Sequence, residues 1–345
     1  MLSVEEIFSN IQSRLSSVMP DAEIYLQAEL VREIEQLKKD RNAVILGHNY
    51  MEPALYHTVP DFKGDSLQLA RCSAETSAEM IVFCGVEFMA ETAAILSPEK
   101  TVLVPSNKAG CSLASSITAQ DVRDLKARYP GVPVVTYINT HADVKAESDI
   151  CCTSGNAAKI VKSLQTERIL FIPDEFLAKN IARETGCEVI VPGKNEQASV
   201  FNKDSQTLIG WPGRCEVHEK FTVEDIENVR KQFPETAVLA HPECPPDVCE
   251  ASDFSGSTSE MIGWVQEHDV EKYLLLTECA MGDNIVAENP EKDLLRLCNV
   301  RCPHMAQITL KMTRDALLHT QYKVEVDEGI RVDAVRALDR MLAIH

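Results

Sequence analysis

Internal repetition constrains this chain more than any other feature. Phe83-Cys84-Gly85-Val86-Glu87-Phe88-Met89-Ala90 returns 88 residues on as Phe171-Ile172-Pro173-Asp174-Glu175-Phe176-Leu177-Ala178. Val102-Leu103-Val104-Pro105 returns 87 residues on as Val189-Ile190-Val191-Pro192. A third match sets Thr118-Ala119-Gln120-Asp121-Val122 against Thr222-Val223-Glu224-Asp225-Ile226, at a spacing of 104. The longer spacing implies an insertion between Pro192 and Cys215, where Lys194 to Gln206 is polar and aperiodic. A fixed period of this length means one supersecondary unit used three times, each copy burying apolar surface against its neighbours.

Each unit opens with an amphipathic helical pattern: Leu30, Ile34 and Leu37, then Val122 and Leu125, then Ile226 and Val229. Thr118 with Asp121, and Thr222 with Asp225, read as helix N-caps with acidic first turns. Short β-rich runs follow, at Ala43 to Leu46, Val132 to Thr136 and Ala237 to Leu239. Helix and strand alternation predicts an α/β protein with three small parallel sheets flanked by helices. Ligands of such sheets sit off the carboxyl ends of the strands.

At those ends the repeat places polar pairs: His48-x-Tyr50, Tyr137-x-Asn139 and His241-x-Glu243, spaced by 89 and 104. Hydroxyls at predicted helix starts follow, at Ser66, Ser154 and Ser257-Thr258. Taken singly, Ser154 and Ser257 read as N-caps, and His48 or His241 as a satisfied structural histidine. Three equivalent strand ends together imply one central site on a pseudo-threefold axis.

The chain has twelve cysteines, and in a reducing compartment these signify metal ligation, catalysis or burial rather than disulfides. Only Cys111, Cys215 and Cys302 fall at equivalent places: 63 residues after His48, 78 after Tyr137 across the insertion, and 61 after His241. Three thiolates without a fourth suit an iron–sulfur cluster with one open iron, or a zinc ion with one open position. Cys84, Cys151, Cys152, Cys187, Cys244, Cys249 and Cys279 read as packing, and Cys298 lies four residues before Cys302.

No dinucleotide or P-loop glycine fingerprint occurs. A net charge of −19 repels nucleic acid and anionic membranes, so no nucleic-acid or membrane partner is expected and anionic substrates need local donors. Apolar runs are too short to cross a bilayer, and Met1 to Asn10 lacks a secretory pattern, so a cytoplasmic location is expected. The stretch from Ile308 to His345 is expected to be mainly helical, with Leu317-Leu318 and Met341-Leu342 in the core.

From about Asn42 to Met305 the chain resembles the quinolinate synthase family. The motifs that carry the resemblance include His48-Asn49-Tyr50, Asp65-Ser66, Lys108-Ala109-Gly110-Cys111-Ser112-Leu113 and Tyr137-Ile138-Asn139-Thr140. Further along they are Thr153-Ser154, His241-Pro242-Glu243, Gly256-Ser257-Thr258-Ser259, Thr277-Glu278 and Cys302-Pro303-His304-Met305. The resemblance implies three pseudo-symmetric αβα sandwich domains around a central [4Fe-4S] cluster: residues 1–111 completed by 303–345, then 112–215, then 216–302. It implies condensation of dihydroxyacetone phosphate with iminoaspartate, supplied by L-aspartate oxidase, to quinolinate with loss of phosphate and two waters, in NAD biosynthesis. Cys111, Cys215 and Cys302 would ligate iron, and Tyr50, Tyr137 and Glu243 would move protons. His48, Ser66, Asn139, Ser154, His241, Ser257 and Thr258 would hold the carboxylates and phosphate. Some relatives carry a tighter cysteine run where this chain has Cys298-x-x-x-Cys302. The residues alone leave two other readings, a dicarboxylate-binding protein and a zinc hydrolase using the same cysteines.

Overall fold

A computed structural model describes residues 2–193, 205–297 and 300–344. Three parallel sheets form within them. The first holds β1 (Ala43–His48), β2 (Phe62–Gly64), β3 (Met80–Cys84) and β4 (Thr101–Leu103), in the order β2-β1-β3-β4. The second holds β5 (Val134–Tyr137), β6 (Ile150–Cys152), β7 (Arg168–Ile172), β8 (Glu188–Ile190) and β9 (Thr207–Gly210), in the order β6-β5-β7-β9-β8. The third holds β10 (Ala237–Ala240), β11 (Phe254–Ser255), β12 (Lys272–Leu276) and β13 (Asp293–Arg296), in the order β11-β10-β12-β13. All pairings are parallel. Near-continuous apolar strands such as Met80–Cys84 and Ile169–Ile172 are what a sheet covered by helices on both faces requires.

One expected strand equivalence is displaced. The Val189-Ile190-Val191 echo of Val102-Leu103-Val104 predicts the strand beside β7, yet β9 pairs there and β8 lies outside it. The sequence match follows a β-rich edge run, whereas the inner place goes to the strand that leads directly into Cys215. Most of the polar insertion, 194–204, lies outside the described residues, as does Cys298.

Thr118 and Thr222 each cap a helix through reciprocal bonds with Asp121 and Asp225. Thr309 caps the helix Leu310–His319 through its side chain alone, accepting from the Met312 N–H. That helix packs on Asp21–Asp40 and β3, whereas Glu328–Leu342 packs on Ala142–Ala146 and β6. The first two sheets share one apolar core, into which Leu317 and Met341 are also packed. Leu318 instead points outward, 43% exposed. The third sheet has a separate apolar cluster on each face. No helix among the described residues is long and apolar enough to cross a membrane.

Candidate active site

The order β2-β1-β3 reverses direction at β1, and the same reversal occurs at β5 and β10. A crevice opens off the carboxyl ends of strands at such a switch point. The three crevices merge into one cavity. His48, Tyr50, Ser66, Cys111, Tyr137, Asn139, Ser154, Cys215, His241, Glu243, Thr258 and Cys302 all line it. Ser257 alone of the expected residues does not. Its hydroxyl accepts from the Glu260 N–H as the N-cap of Thr258–Glu267, beside Gly155. Ser154, by contrast, caps nothing: the helix Ala157–Ser163 begins after Asn156, whose Oδ1 accepts from the Thr153 N–H at 2.7 Å. Ser154 is thereby left in a turn facing the cavity.

The cysteines sit in three matching turns. The carbonyls of Cys111, Cys215 and Cys302 accept from the N–H groups of Ser115, Glu219 and Ala306 at 3.0–3.1 Å. A short 3-10 turn follows each cysteine, and a capping threonine follows seven residues on, at Thr118, Thr222 and Thr309. Cys111 and Cys302 sulfurs accept from the Ala114 and Met305 N–H groups at 3.5 Å. The first two turns are anchored alike to helix starts: the carbonyl two residues before Cys111 accepts from Glu87 N–H at 2.7 Å, and that before Cys215 from Glu175 N–H at 2.8 Å. Gly213 is required in the second anchor, because a Cβ there would lie 2.5 Å from the Pro173 carbonyl and the Ser116 hydroxyl. His304 Nε2 meets Glu216 Oε1 at 3.1 Å, tying the Cys302 turn to the Cys215 turn.

Burial pushes the thiols of Cys111 and Cys302 up to about 12 and about 11, and that of Cys215 well above its ordinary value. Without a metal all three are protonated, so binding one must expel protons. Cys84, Cys151, Cys152, Cys244, Cys249 and Cys279 are buried, as expected of packing residues. Cys187 is half-buried, bonded to Thr185 and Gln206. The three cavity thiols stand farther apart than one ion needs, since among the described residues only Cys215, His218 and Glu243 bring three ligand atoms within 4.8 Å of one another. Thiolates spread over three walls of one cavity fit the separate corner irons of a cluster.

His48 and His241 use one local device. The Nδ1 of each accepts the backbone N–H two residues on, from Tyr50 at 3.2 Å and Glu243 at 3.3 Å. Each therefore keeps its proton on Nε2, as a neutral donor. Burial lowers them to about 4 and about 3, in keeping with that state. Among the described residues neither lysine nor arginine lines the cavity, so its donors to an anion there are hydroxyls, amides and these imidazoles.

Glu243 lies at the centre and is 3% exposed. Its Oε1 accepts from the Tyr137 hydroxyl at 2.5 Å and the Asn139 amide at 3.2 Å, and its Oε2 faces His218 Nδ1 at 2.8 Å. Burial pushes this carboxyl up, but the imidazole of His218 and the surrounding donors outweigh it and hold the group below the usual carboxylate range. Burial and the charge of Glu243 raise both Tyr50 and Tyr137 well above the usual phenol value. The carboxyl is thereby ionised beside two phenols that keep their protons.

His218 was not singled out in the sequence, nor was Thr277 given a role. His218 Nε2 lies 3.0 Å from Thr277 Oγ1 and 3.4 Å from the Tyr50 hydroxyl, and Thr277 bonds Tyr50 at 2.5 Å. The ring stacks on His241 at 4.7 Å. The available signal was local: an imidazole three residues after a candidate ligand, in Cys215-Glu216-Val217-His218.

Residues 32–343 match the family model described as quinolinate synthetase A protein. Over 344 residues, all of both chains, the sequence is 48% identical to quinolinate synthase 2 of Mesorhizobium japonicum. It is 50% identical to quinolinate synthase of Agrobacterium fabrum, over 97% of this chain and 92% of the relative. Against quinolinate synthase of Xylella fastidiosa it is 50% identical, over 91% and 87%.

Proposed function

The chain belongs to the quinolinate synthetase A protein family, an enzyme family, and from that premise we propose that it makes quinolinate from dihydroxyacetone phosphate and iminoaspartate. The observation that carries this reading is the convergence of three cysteine turns with the Tyr137–Glu243–His218 network in one cavity. Joining the two substrates forms one carbon–carbon and one carbon–nitrogen bond and releases phosphate and two waters, which balances without an oxidant or reductant. Such a reaction needs anion donors, a base to remove protons beside carbonyl and imine carbons, and an acid to assist departing water.

Cys111, Cys215 and Cys302 would hold a [4Fe-4S] cluster, whose open iron supplies Lewis-acid polarisation of a substrate hydroxyl or carboxylate. His48 and His241 hold substrate anions through neutral Nε2–H groups, with Asn139, Ser66, Ser154 and Thr258. Ser257 lies outside the cavity lining and contributes by capping the helix that carries Thr258, its hydroxyl accepting from the Glu260 N–H. Glu243 is ionised, because its pKa is held low, and its carboxylate beside Tyr137 and His218 is placed to take the protons shed on enolisation. Tyr137 and Tyr50 keep their protons and serve as donors to developing negative charge, because theirs are held high. The burial of all three excludes bulk water, which strengthens each of these interactions.

The test is anaerobic turnover of the reconstituted enzyme with dihydroxyacetone phosphate and iminoaspartate generated in place by L-aspartate oxidase. Quinolinate and inorganic phosphate should appear in equal amounts. Absence of quinolinate from cluster-replete protein would refute the assignment.

A further inference from the structure

The Cys215 turn differs from its two counterparts in carrying an imidazole. Three residues after Cys111 and Cys302 stand Ala114 and Met305, whereas the matching position after Cys215 is His218, 2% exposed. Its Nδ1 lies 3.2 Å from Cys215 Sγ and 2.8 Å from Glu243 Oε2. Thr277 Oγ1, 3.0 Å from Nε2, is placed to take the proton of that nitrogen. With its proton on Nε2 in the cation-bound form, Nδ1 turns an electron pair into the gap between a sulfur and a carboxylate oxygen, in place of the hydrogen bond it gives Glu243 when no cation is bound. Metal-bound histidines are held in this manner, one nitrogen on the ion and the other donating to a second partner.

We propose that in the cluster-free enzyme Cys215, His218 and Glu243 together bind a single borderline divalent cation, Zn²⁺ or Fe²⁺, at a site that excludes cluster insertion. Three features choose the cation. Sulfur, nitrogen and one carboxylate oxygen suit zinc or ferrous iron, and magnesium or calcium would require an all-oxygen shell. A thiolate and a carboxylate together carry two negative charges, and among the described residues no lysine or arginine lines the cavity to offset them. The three ligand atoms already lie within 4.8 Å of one another, so tetrahedral bonds of about 2.0–2.3 Å need only small side-chain shifts. The fourth position faces the open cavity. Exclusion follows because Cys215 is common to this site and to the cysteine trio, and its sulfur, drawn toward His218 and Glu243 by the cation, is turned away from the position the trio shares.

This proposal rests on the cluster reading only for the exclusion, and the experiment separates the two. Cluster-free, full-length protein is titrated anaerobically with Co²⁺, a spectroscopic substitute for zinc. One equivalent should bind, with thiolate-to-cobalt charge transfer and tetrahedral visible bands. His218→Ala should abolish those bands, whereas the Cys111→Ser/Cys302→Ser double variant should keep them. Thr277→Val, which keeps side-chain shape, should weaken Co²⁺ binding by about 10–100-fold, with the circular dichroism spectrum unchanged. Protein preloaded with Zn²⁺ should take up no iron and sulfide under conditions that reconstitute zinc-free protein. The proposal is overturned if wild type binds no Co²⁺, or if the double variant loses the bands while His218→Ala keeps them. Failure of zinc-free wild type to take up a cluster would count against the functional assignment and leave the cobalt result standing.

Discussion

After Cys111 and Cys302 the residue three places on offers the sulfur only a backbone N–H, whereas after Cys215 it brings an imidazole that also reaches Glu243. The backbone of the turns is otherwise alike, down to the carbonyl bond of each cysteine and the threonine cap seven residues later. The difference separates two jobs. Repetition places equivalent thiols on three walls, and one unrepeated side chain gathers titratable groups at a single corner. Tyr50, Thr277, His218, Glu243 and Tyr137 form one continuous chain of contacts through that corner, drawing on all three sheets.

If the Cys215 corner is where protons move, Glu243→Gln should break the reaction and spare the scaffold. It keeps shape and hydrogen-bonding reach but removes the base, so kcat should fall by roughly 10² or more with iron content unchanged. Near-normal turnover would show that Glu243 only positions substrate, and would move the base to Tyr50 or His48. Tyr137→Phe removes one hydrogen bond to a charged group and should lower kcat by about 10-fold, again with full iron content. An effect of Tyr137→Phe on iron rather than rate would erase the distinction between the corner and the scaffold.

The smallest effect tests the likeness of the turns. Thr118→Ala and Thr222→Ala each remove one reciprocal helix cap, and each should cost about 1 kcal/mol in denaturant unfolding. Costs that differ several-fold would show that the two turns are not energetically equivalent.

The thiols and strand-end residues were legible because they recur at one spacing, and spacing survives where side chains diverge. His218 was hidden by the same logic: comparing copies discards whatever occurs once, and the equivalent places hold Ala114 and Met305. The inner strand of the second sheet escaped notice because the β-rich Val189 run nearby is the better sequence echo. Ser154 read as a cap because serine favours that place, but Asn156 turns its side chain back onto Thr153 and opens the helix two residues later. In both failures a neighbouring residue of similar propensity took the expected role.

The most direct test of the central claim measures iron and acid-labile sulfide in anaerobically reconstituted cysteine variants. Cys111→Ser, Cys215→Ser and Cys302→Ser should each lose stable cluster and its visible absorption, whereas Cys151→Ser and Cys187→Ser should match wild type. Full iron and sulfide in any of the first three, or their loss in Cys151→Ser, would contradict a cluster held by one thiol from each repeated turn.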